Sequence, residues 1–307
     1  MKIGLIDVDS HSGFPNLALM KLSAHYKAKG DNVEWYDIFG AYDVVYMAKI
    51  FTFTEDYPYT ITNADEVITG GTGFNIEKTL PHEIDSCFPD YDLYRLPADI
   101  AYGFLTRGCI RKCPWCIVPK KEGTIHPYMD IEEVAHERKK VVLMDNNVLA
   151  SDYGLEQIEK IIKLGKVVDF NQAMDARLVT AEIARLLARV RWIKYIRFGC
   201  DTAGQISHCE NAISLLREFG YHGPIMLYTM LHGTLQECYE RVSHWRHPRY
   251  KNKIHCHSQP MLDLTSKVQH IPQWQRDMAS WSKHQIYPKC DFKDYEARKG
   301  FKCSKYF

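Results

Sequence analysis

Short apolar segments of strand length alternate with segments of helical periodicity along almost the whole chain. Near the start, strand-like runs at residues 2–7, 32–36, 42–47 and 66–69 accompany a helical pattern at 16–29. Continuous apolar runs of this length are typical of strands that are buried on both faces, as in a parallel sheet. We therefore predict a small open α/β domain for the first part of the chain.

The same alternation begins again after a segment that contains Pro81, Pro89 and Pro97, so residues 75–97 are predicted to be a linker. The predicted domains are residues 1–95, 96–262 and a C-terminal extension at 263–307. Six strand–helix repeats in the second domain favour a partial barrel, in which functional groups gather at the carboxyl ends of the strands. Its predicted strands are 100–106, 141–144, 167–170, 192–198, 225–230 and 253–257, and its helices are 155–164, 181–190, 205–219 and 235–245.

The amino-acid composition limits the classes of protein to which this chain can belong. The 307 residues are 46% hydrophobic, which is enough for one large or two smaller cores and argues against disorder. The formal net charge of +1 excludes a nucleic-acid or membrane binder that works through its overall charge. Because we find neither a long apolar run nor a signal peptide, we expect a cytoplasmic protein with no membrane partner.

Three of the ten cysteines, Cys109, Cys113 and Cys116, fall within eight residues, directly after the predicted strand 100–106. In a reducing compartment such thiols stay free or bind soft metals, iron–sulfur clusters among them. Three ligands are one fewer than a closed tetrahedral site needs, so the fourth position is open to a substrate or cofactor. Alternatively, His126 completes a structural zinc site, or the spacing is a coincidence.

The segment Cys109-Ile-Arg-Lys-Cys113-Pro-Trp115-Cys116 resembles the CxxxCxxC signature of the radical S-adenosylmethionine superfamily, in which an aromatic residue precedes the third cysteine. The resemblance implies that Cys109, Cys113 and Cys116 bind three irons of a [4Fe-4S] cluster. The fourth iron would then chelate S-adenosylmethionine, whose one-electron cleavage yields a 5′-deoxyadenosyl radical. It also implies that the second domain is a partial (β/α)6 barrel.

Our candidates for binding that cofactor are Trp115 of the cysteine loop and polar side chains at or after the carboxyl ends of the later predicted strands. Arginine offers a planar bidentate donor to carboxylates, and an Asp175–Arg177 ion pair is expected. Helix capping by the Asp145-Asn-Asn147 run and a salt-bridge network around the rim are the structural alternatives. The candidates are Trp115, Asp145, Asn147, Asp175, Arg177, Arg197, Asp201 and Tyr228.

The segment Asp9-Ser-His11-Ser-Gly13, together with Gly70-Gly71, resembles cobalamin-binding domains of the flavodoxin-like type, which carry Asp-x-His-x-x-Gly. This resemblance implies a flavodoxin-like fold for the first domain. The resemblance would make His11 a cobalt ligand, although the glycine comes one residue too early here. A related fold that only shapes a substrate cleft is the alternative. For the glycines at 70–73, a sharp turn at the sheet edge is the simplest explanation.

Residues 240–307 carry 14 Lys and Arg against 6 Asp and Glu, a net charge of +8, with aromatic residues between them. This composition is typical of surfaces that bind nucleic acid, and equally of a covering segment that buries Trp274, Trp281 and Phe301 while its lysines stay solvated. Later cysteines allow a second cluster, although idle thiols are the simpler explanation; they are Cys256, Cys290 and Cys303.

The function we favour is radical modification of a substrate, with nucleic acid or a nucleotide as the substrate class. The resemblance implies a one-electron reductant such as flavodoxin or ferredoxin as partner. A cobalamin-dependent radical methyltransferase is one alternative. A non-catalytic nucleic-acid-binding protein that holds zinc or an iron–sulfur cluster is the other.

Overall fold

The computed structural model describes residues 1–250, 253–264 and 266–307. Two compact units are present: Met1–Ile100 with Asp263–Gln269, and Ala101–Leu262 with His270–Phe307. Each is a mixed α/β unit that contains a parallel sheet, which confirms the fold class at this level. None of the helices in the described ranges has the length and apolar character needed to cross a membrane.

The first unit is built on four parallel strands in the order β2-β1-β3-β4. On one side of the sheet, Ile3 and Leu5 pack against Leu19 and Leu22 of the first helix. That helix begins at Asn16, whose side chain accepts hydrogen bonds from the next turn. The elements are β1 (Lys2–Asp7), α1 (Leu17–Ala28), β2 (Asn32–Trp35), β3 (Tyr42–Ala48), β4 (Ala64–Gly70) and α2 (His82–Asp85).

The prediction of a linker at 75–97 is wrong for much of that segment. Ile84 and Tyr91 are buried, and Ile84 belongs to the core that lies beneath α1. The Asp90 carboxylate accepts a hydrogen bond from Ser23 at 2.6 Å and pairs with Lys27 at 2.7 Å. This segment packs on the first unit despite its prolines, because turns rich in proline can still bury their apolar side chains.

The second unit carries two principal sheets, β10-β9-β8-β5 and β11-β12-β13, joined by a parallel bridge between Met174 and Phe198. Helices lie between β8 and β9, between β11 and β12, and between β12 and β13, as the sequence predicts. The elements are β5 (Ile100–Gly103), β6 (Thr106–Arg107), α3 (Val118–Lys121), β7 (His126–Pro127), α4 (Ile131–Ala135), β8 (Lys140–Leu143), α5 (Asp152–Lys163), β9 (Val167–Phe170), α6 (Ala181–Arg189), β10 (Arg191–Trp192), β11 (Ile196–Gly199), α7 (Ile206–Glu218), β12 (Ile225–Leu231), α8 (Leu235–His244), β13 (Ile254–Pro260), α9 (Gln273–Lys283), β14 (Glu296–Arg298) and β15 (Phe301–Lys302).

Two predicted strands are each divided in the structure. The run at 192–198 splits into β10, which pairs with β9, and β11, which pairs with β12. The run at 100–106 ends as β5 at Gly103, and the chain then turns toward a buried carboxylate before β6 begins. An apolar run does not reveal that its two ends pair with different strands.

The C-terminal residues 270–307 are integral to the second unit. Trp281, Tyr287 and Phe292 are fully buried, whereas Trp274 and Phe301 are half-buried. Packing of the covering segment therefore accounts for most of its aromatic residues, while Lys299, Lys302 and Lys305 stay exposed.

Candidate functional site

The three clustered cysteines lie on a loop that is closed at its base by a short antiparallel pair, β6 with β7. Gly108, the first residue of the loop, has φ +82°, and a Cβ there would lie 2.3 Å from the Thr124 carbonyl oxygen. Cys109 donates its backbone N–H to the Gly123 oxygen at 3.2 Å. The two ends of the loop thus approach so closely that only glycine fits at 108.

Glu122, which the sequence analysis did not single out, ties the loop to its surroundings. Its carboxylate pairs with Arg107 at 2.8 Å and accepts the Gly108 N–H at 3.0 Å. It also accepts the side-chain amide of Asn146 at 2.6 Å. No motif marks this glutamate, because its partners come together only when the loop folds back.

Asp145, a predicted cofactor ligand, lies beneath the loop and is buried. One carboxylate oxygen accepts the Thr106 N–H at 2.6 Å and the Thr106 hydroxyl at 2.8 Å, and both oxygens lie 3.1 Å from the Leu105 nitrogen. Burial raises the pKa of Asp145 to about 6, although these hydrogen bonds oppose the shift. In the structure, Asp145 thus anchors the backbone that leads into the loop.

The thiols differ in exposure: Cys109 and Cys113 are half-buried and Cys116 is exposed. Partial desolvation by the surrounding loop raises the pKa of Cys113 and, although its side chain reaches solvent, that of Cys116; the neighbouring loop cysteines add to each shift. The Cys109 sulfur accepts the Arg111 backbone N–H at 3.3 Å and the Asn147 side-chain amide at 3.6 Å. The three thiols therefore share one electrostatic environment.

The residues of the loop have the chemistry that a bound cluster needs. Three soft sulfur donors on one loop suit iron. The buried Asn147 Oδ1 accepts no hydrogen bond from the residues that the structure describes, so a bound polar group can satisfy it. Within the described ranges, no three His, Cys, Asp or Glu side chains are arranged as metal ligands. The donor chemistry fits, and the ligand role of the thiols stays a prediction.

Asp175 joins the loop to the carboxyl end of β9. It forms the predicted ion pair with Arg177, at 2.6 Å, and a second one with Arg111, at 2.8 Å, whose role the sequence analysis missed. Burial alone would raise the pKa of Asp175, but the two guanidinium groups hold it below its ordinary value. The positive charge of Arg177 also opposes the burial shift of the Cys113 thiol. The ion pairs of Asp175 with Arg111 and Arg177 thus place charged groups of both signs beside the thiols.

Trp115 brings the loop to the ends of β11 and β12. Its ring lies on the His232 ring with centroids 4.6 Å apart and an interplanar angle of 31°. His232 Nε2 hydrogen-bonds the Asp201 carbonyl oxygen at 2.8 Å, and the Asp201 carboxylate accepts the Met230 N–H at 2.9 Å. Burial raises the pKa of Asp201. Trp115 and Asp201, both predicted site residues, thus belong to one contact chain.

Arg197 and Tyr228 form a separate group on the β11–β12 sheet. Arg197 pairs with Asp169 of β9 at 2.5 Å and donates to the Tyr228 hydroxyl at 3.1 Å. His257 of β13, which the sequence did not mark, meets the Tyr228 ring edge-on at 5.4 Å. Burial lowers the pKa of His257, so this imidazole is neutral near pH 7. The group forms a polar patch within the sheet.

His11 and His126, the two histidines considered as metal ligands, are both exposed. His11 is exposed on a 3-10 turn after β1 in the first unit, and its role as a cobalt ligand stays a prediction. Gly71 has φ +92°, and a Cβ there would lie 2.3 Å from the Lys49 carbonyl oxygen, so tight backbone packing explains this glycine. His126, the proposed zinc ligand, is exposed and its Nδ1 lies 2.9 Å from the Thr124 oxygen.

The cysteines considered for a second cluster do not share one environment. Cys256 is buried on β13, where its sulfur contacts the Thr229 hydroxyl at 3.6 Å. Burial raises the pKa of Cys303, with a smaller contribution from Cys290. No protein-family model matches the sequence, and no match was found among curated proteins.

Proposed function

We propose that the chain is a radical S-adenosylmethionine enzyme that modifies its substrate through reductive cleavage of that cofactor. The observation that carries the proposal is the CxxxCxxC loop after β6, which contacts residues that follow three other strands, β8, β9 and β12. When bound, a [4Fe-4S] cluster would supply the one electron that cleaves S-adenosylmethionine into methionine and a 5′-deoxyadenosyl radical. Cys109, Cys113 and Cys116 would hold the cluster.

The surrounding residues would orient the cofactor. Asn147 presents its free Oδ1 as an acceptor beside Cys109, which suits a protonated amine. The Arg177 guanidinium, fixed by Asp175, suits a carboxylate. Trp115 and His232 offer an aromatic surface next to the thiols. The polar patch of Asp169, Arg197, Tyr228 and His257 is the proposed place for the substrate.

The finer architecture belongs to the same proposal. The sheet order β2-β1-β3-β4 agrees with the beginning of the flavodoxin-like order, 2-1-3-4-5. In the second unit, β5, β8 and β9 are followed by β11, β12 and β13 in chain order, and the Met174–Phe198 bridge links the two sheets. That succession supports a partial (β/α)6 barrel followed by a C-terminal extension.

Partners and location follow from this chemistry. A one-electron donor such as flavodoxin or ferredoxin would reduce the cluster, and we place the enzyme in the cytoplasm because all ten cysteines are free thiols. Nucleic acid or a nucleotide is the substrate class we propose. The exposed lysines of the C-terminal segment support it, since cations on a surface bind phosphates.

The test is anaerobic reconstitution with iron and sulfide, followed by dithionite, S-adenosylmethionine and chromatography for 5′-deoxyadenosine. We expect product from the unmodified protein and from Cys87→Ala, which alters a thiol of the first unit, and none from Cys113→Ala. Uptake of zinc without iron, and no product, would refute the proposal in favour of a metal-containing binding protein. In a separate experiment, the protein is mixed anaerobically with hydroxocobalamin and desalted. Retention of a corrin absorbance spectrum would support His11 as a cobalt ligand.

A further inference from the structure

The sulfur of Cys109 receives a hydrogen bond from a side chain that is far away in sequence. Asn147 Nδ2 lies 3.6 Å from it, and the Arg111 backbone N–H lies 3.3 Å from the same atom. The backbone contact is local to the loop. The contact from Asn147 crosses from the carboxyl end of β8 to the loop after β5, so it depends on the tertiary fold.

The structure holds the Asn147 amide in place. The residue is only 3% exposed, and it precedes a 3-10 turn whose Val148 and Leu149 are buried. Its carbonyl oxygen accepts the Ala150 N–H at 3.0 Å. Because the side chain is enclosed, the amide cannot exchange its sulfur contact for water.

We propose that Asn147 donates its amide N–H to the Cys109 sulfur of a bound iron–sulfur cluster and thereby raises the reduction potential of that cluster. The inference rests on the proposed function, because it requires that Cys109 is a cluster ligand. Reduction adds one electron to the cluster. A donor that points at a ligand sulfur stabilises the added negative charge, and hydrogen bonds to sulfur are among the factors that set these potentials.

Charged groups around the loop form a background to the hydrogen bond. Arg111 and Arg177 both pair with the Asp175 carboxylate, at 2.8 and 2.6 Å. Substitution of Asn147 leaves these ion pairs intact, so its effect can be measured against a constant background.

Two substitutions and a matched control separate the hydrogen bond from a general disturbance. Asn147→Leu removes the donor at similar volume, and Asn147→Asp keeps the shape but places a carboxylate oxygen beside the sulfur. The control is Asn146→Leu, the same change at the neighbouring residue, whose amide donates to Glu122 rather than to a cysteine.

The measurement is an electron paramagnetic resonance redox titration of each reconstituted protein, after its iron and sulfide contents have been determined. We expect a more negative midpoint potential in Asn147→Leu, a still more negative one in Asn147→Asp, and no change in Asn146→Leu. Equal potentials in all four proteins, or equal shifts at positions 146 and 147, would overturn the inference.

A second readout uses the unsubstituted protein, in case the variants do not assemble a cluster. With asparagine labelled with ¹⁵N, electron spin echo modulation of the reduced cluster should show coupling to a side-chain nitrogen, and its absence would also overturn the inference. Failure of the unsubstituted protein to bind a cluster would instead refute the proposed function. The two failures are therefore distinguishable.

Discussion

Asp145 shows how one buried carboxylate can organise a loop that carries chemistry. It accepts hydrogen bonds from Leu105 and Thr106, which lie just before the cysteine loop. Each of these buried donors would cost about 1–3 kcal/mol if it lost its partner. Asp145 is thus better placed to position the thiols than to touch a cofactor.

The raised pKa of Asp145 predicts that the free energy of unfolding depends on pH. Its pKa is raised by burial from 3.8 to about 6, so the folded state binds more protons than the unfolded state between these values. The pH-dependent part of the contribution of Asp145 to the free energy of unfolding is therefore fully present below pH 4, falls as the pH rises to 6, and is absent above that. Denaturant titrations of the unsubstituted protein and of Asp145→Asn between pH 4 and 7 would measure it.

The informative quantity is the difference between the two proteins, because other carboxylates contribute equally to both. We expect the advantage of the unsubstituted protein over Asp145→Asn to shrink as the pH rises through this window. A difference that stays constant with pH would show that Asp145 has an ordinary pKa.

At the scale of elements, the cysteine loop depends on how closely its two ends approach each other. Gly108 and Gly123 both have positive φ, at +82° and +72°. Their surroundings differ, since a Cβ at Gly108 meets the Thr124 carbonyl oxygen, whereas a Cβ at Gly123 meets nothing within 4 Å. Substitutions at Gly108 and Gly123 can therefore separate the cost of backbone strain, which both share, from the cost of a steric collision, which only Gly108 has.

We predict that Gly123→Ala destabilises the second unit by about 1–2 kcal/mol, the cost of a left-handed conformation for alanine. Gly108→Ala should cost clearly more, because the methyl group also displaces the other end of the loop, and it should lower the iron bound on reconstitution. Thermal unfolding and iron analysis of both variants would check this. Equal effects of the two substitutions would show that the loop base can open.

At the scale of the whole molecule, the C-terminal segment completes a core. Tyr287 is fully buried, and its hydroxyl donates to the Ile254 carbonyl oxygen at 2.7 Å and accepts the Cys256 N–H at 3.0 Å. Both partners lie on β13, the last strand of its sheet. The segment therefore contributes to the stability of β13.

We expect Tyr287→Phe to lower the free energy of unfolding of the second unit by about 2 kcal/mol, because two buried backbone groups lose their partner. Tyr295→Phe is the matched control, since that half-buried hydroxyl forms only a long hydrogen bond of 3.4 Å with the Ser280 hydroxyl, and its loss should cost about 0.5 kcal/mol. Denaturant unfolding curves would compare them. A smaller effect at 287 than at 295 would contradict the structural role of the segment.

The sequence by itself determined the mixed α/β class, most strand and helix positions, the clustered thiols and the Asp175–Arg177 pair, because periodicity and short-range spacing are local properties. Only the tertiary structure decided that Arg111 shares Asp175, that Glu122 closes the loop, that Asn147 reaches Cys109 and that Asp145 lies beneath the loop. These contacts join residues 14 to 64 positions apart. Such pairs carry no local signal, since strand order and loop closure bring them together only when the chain folds.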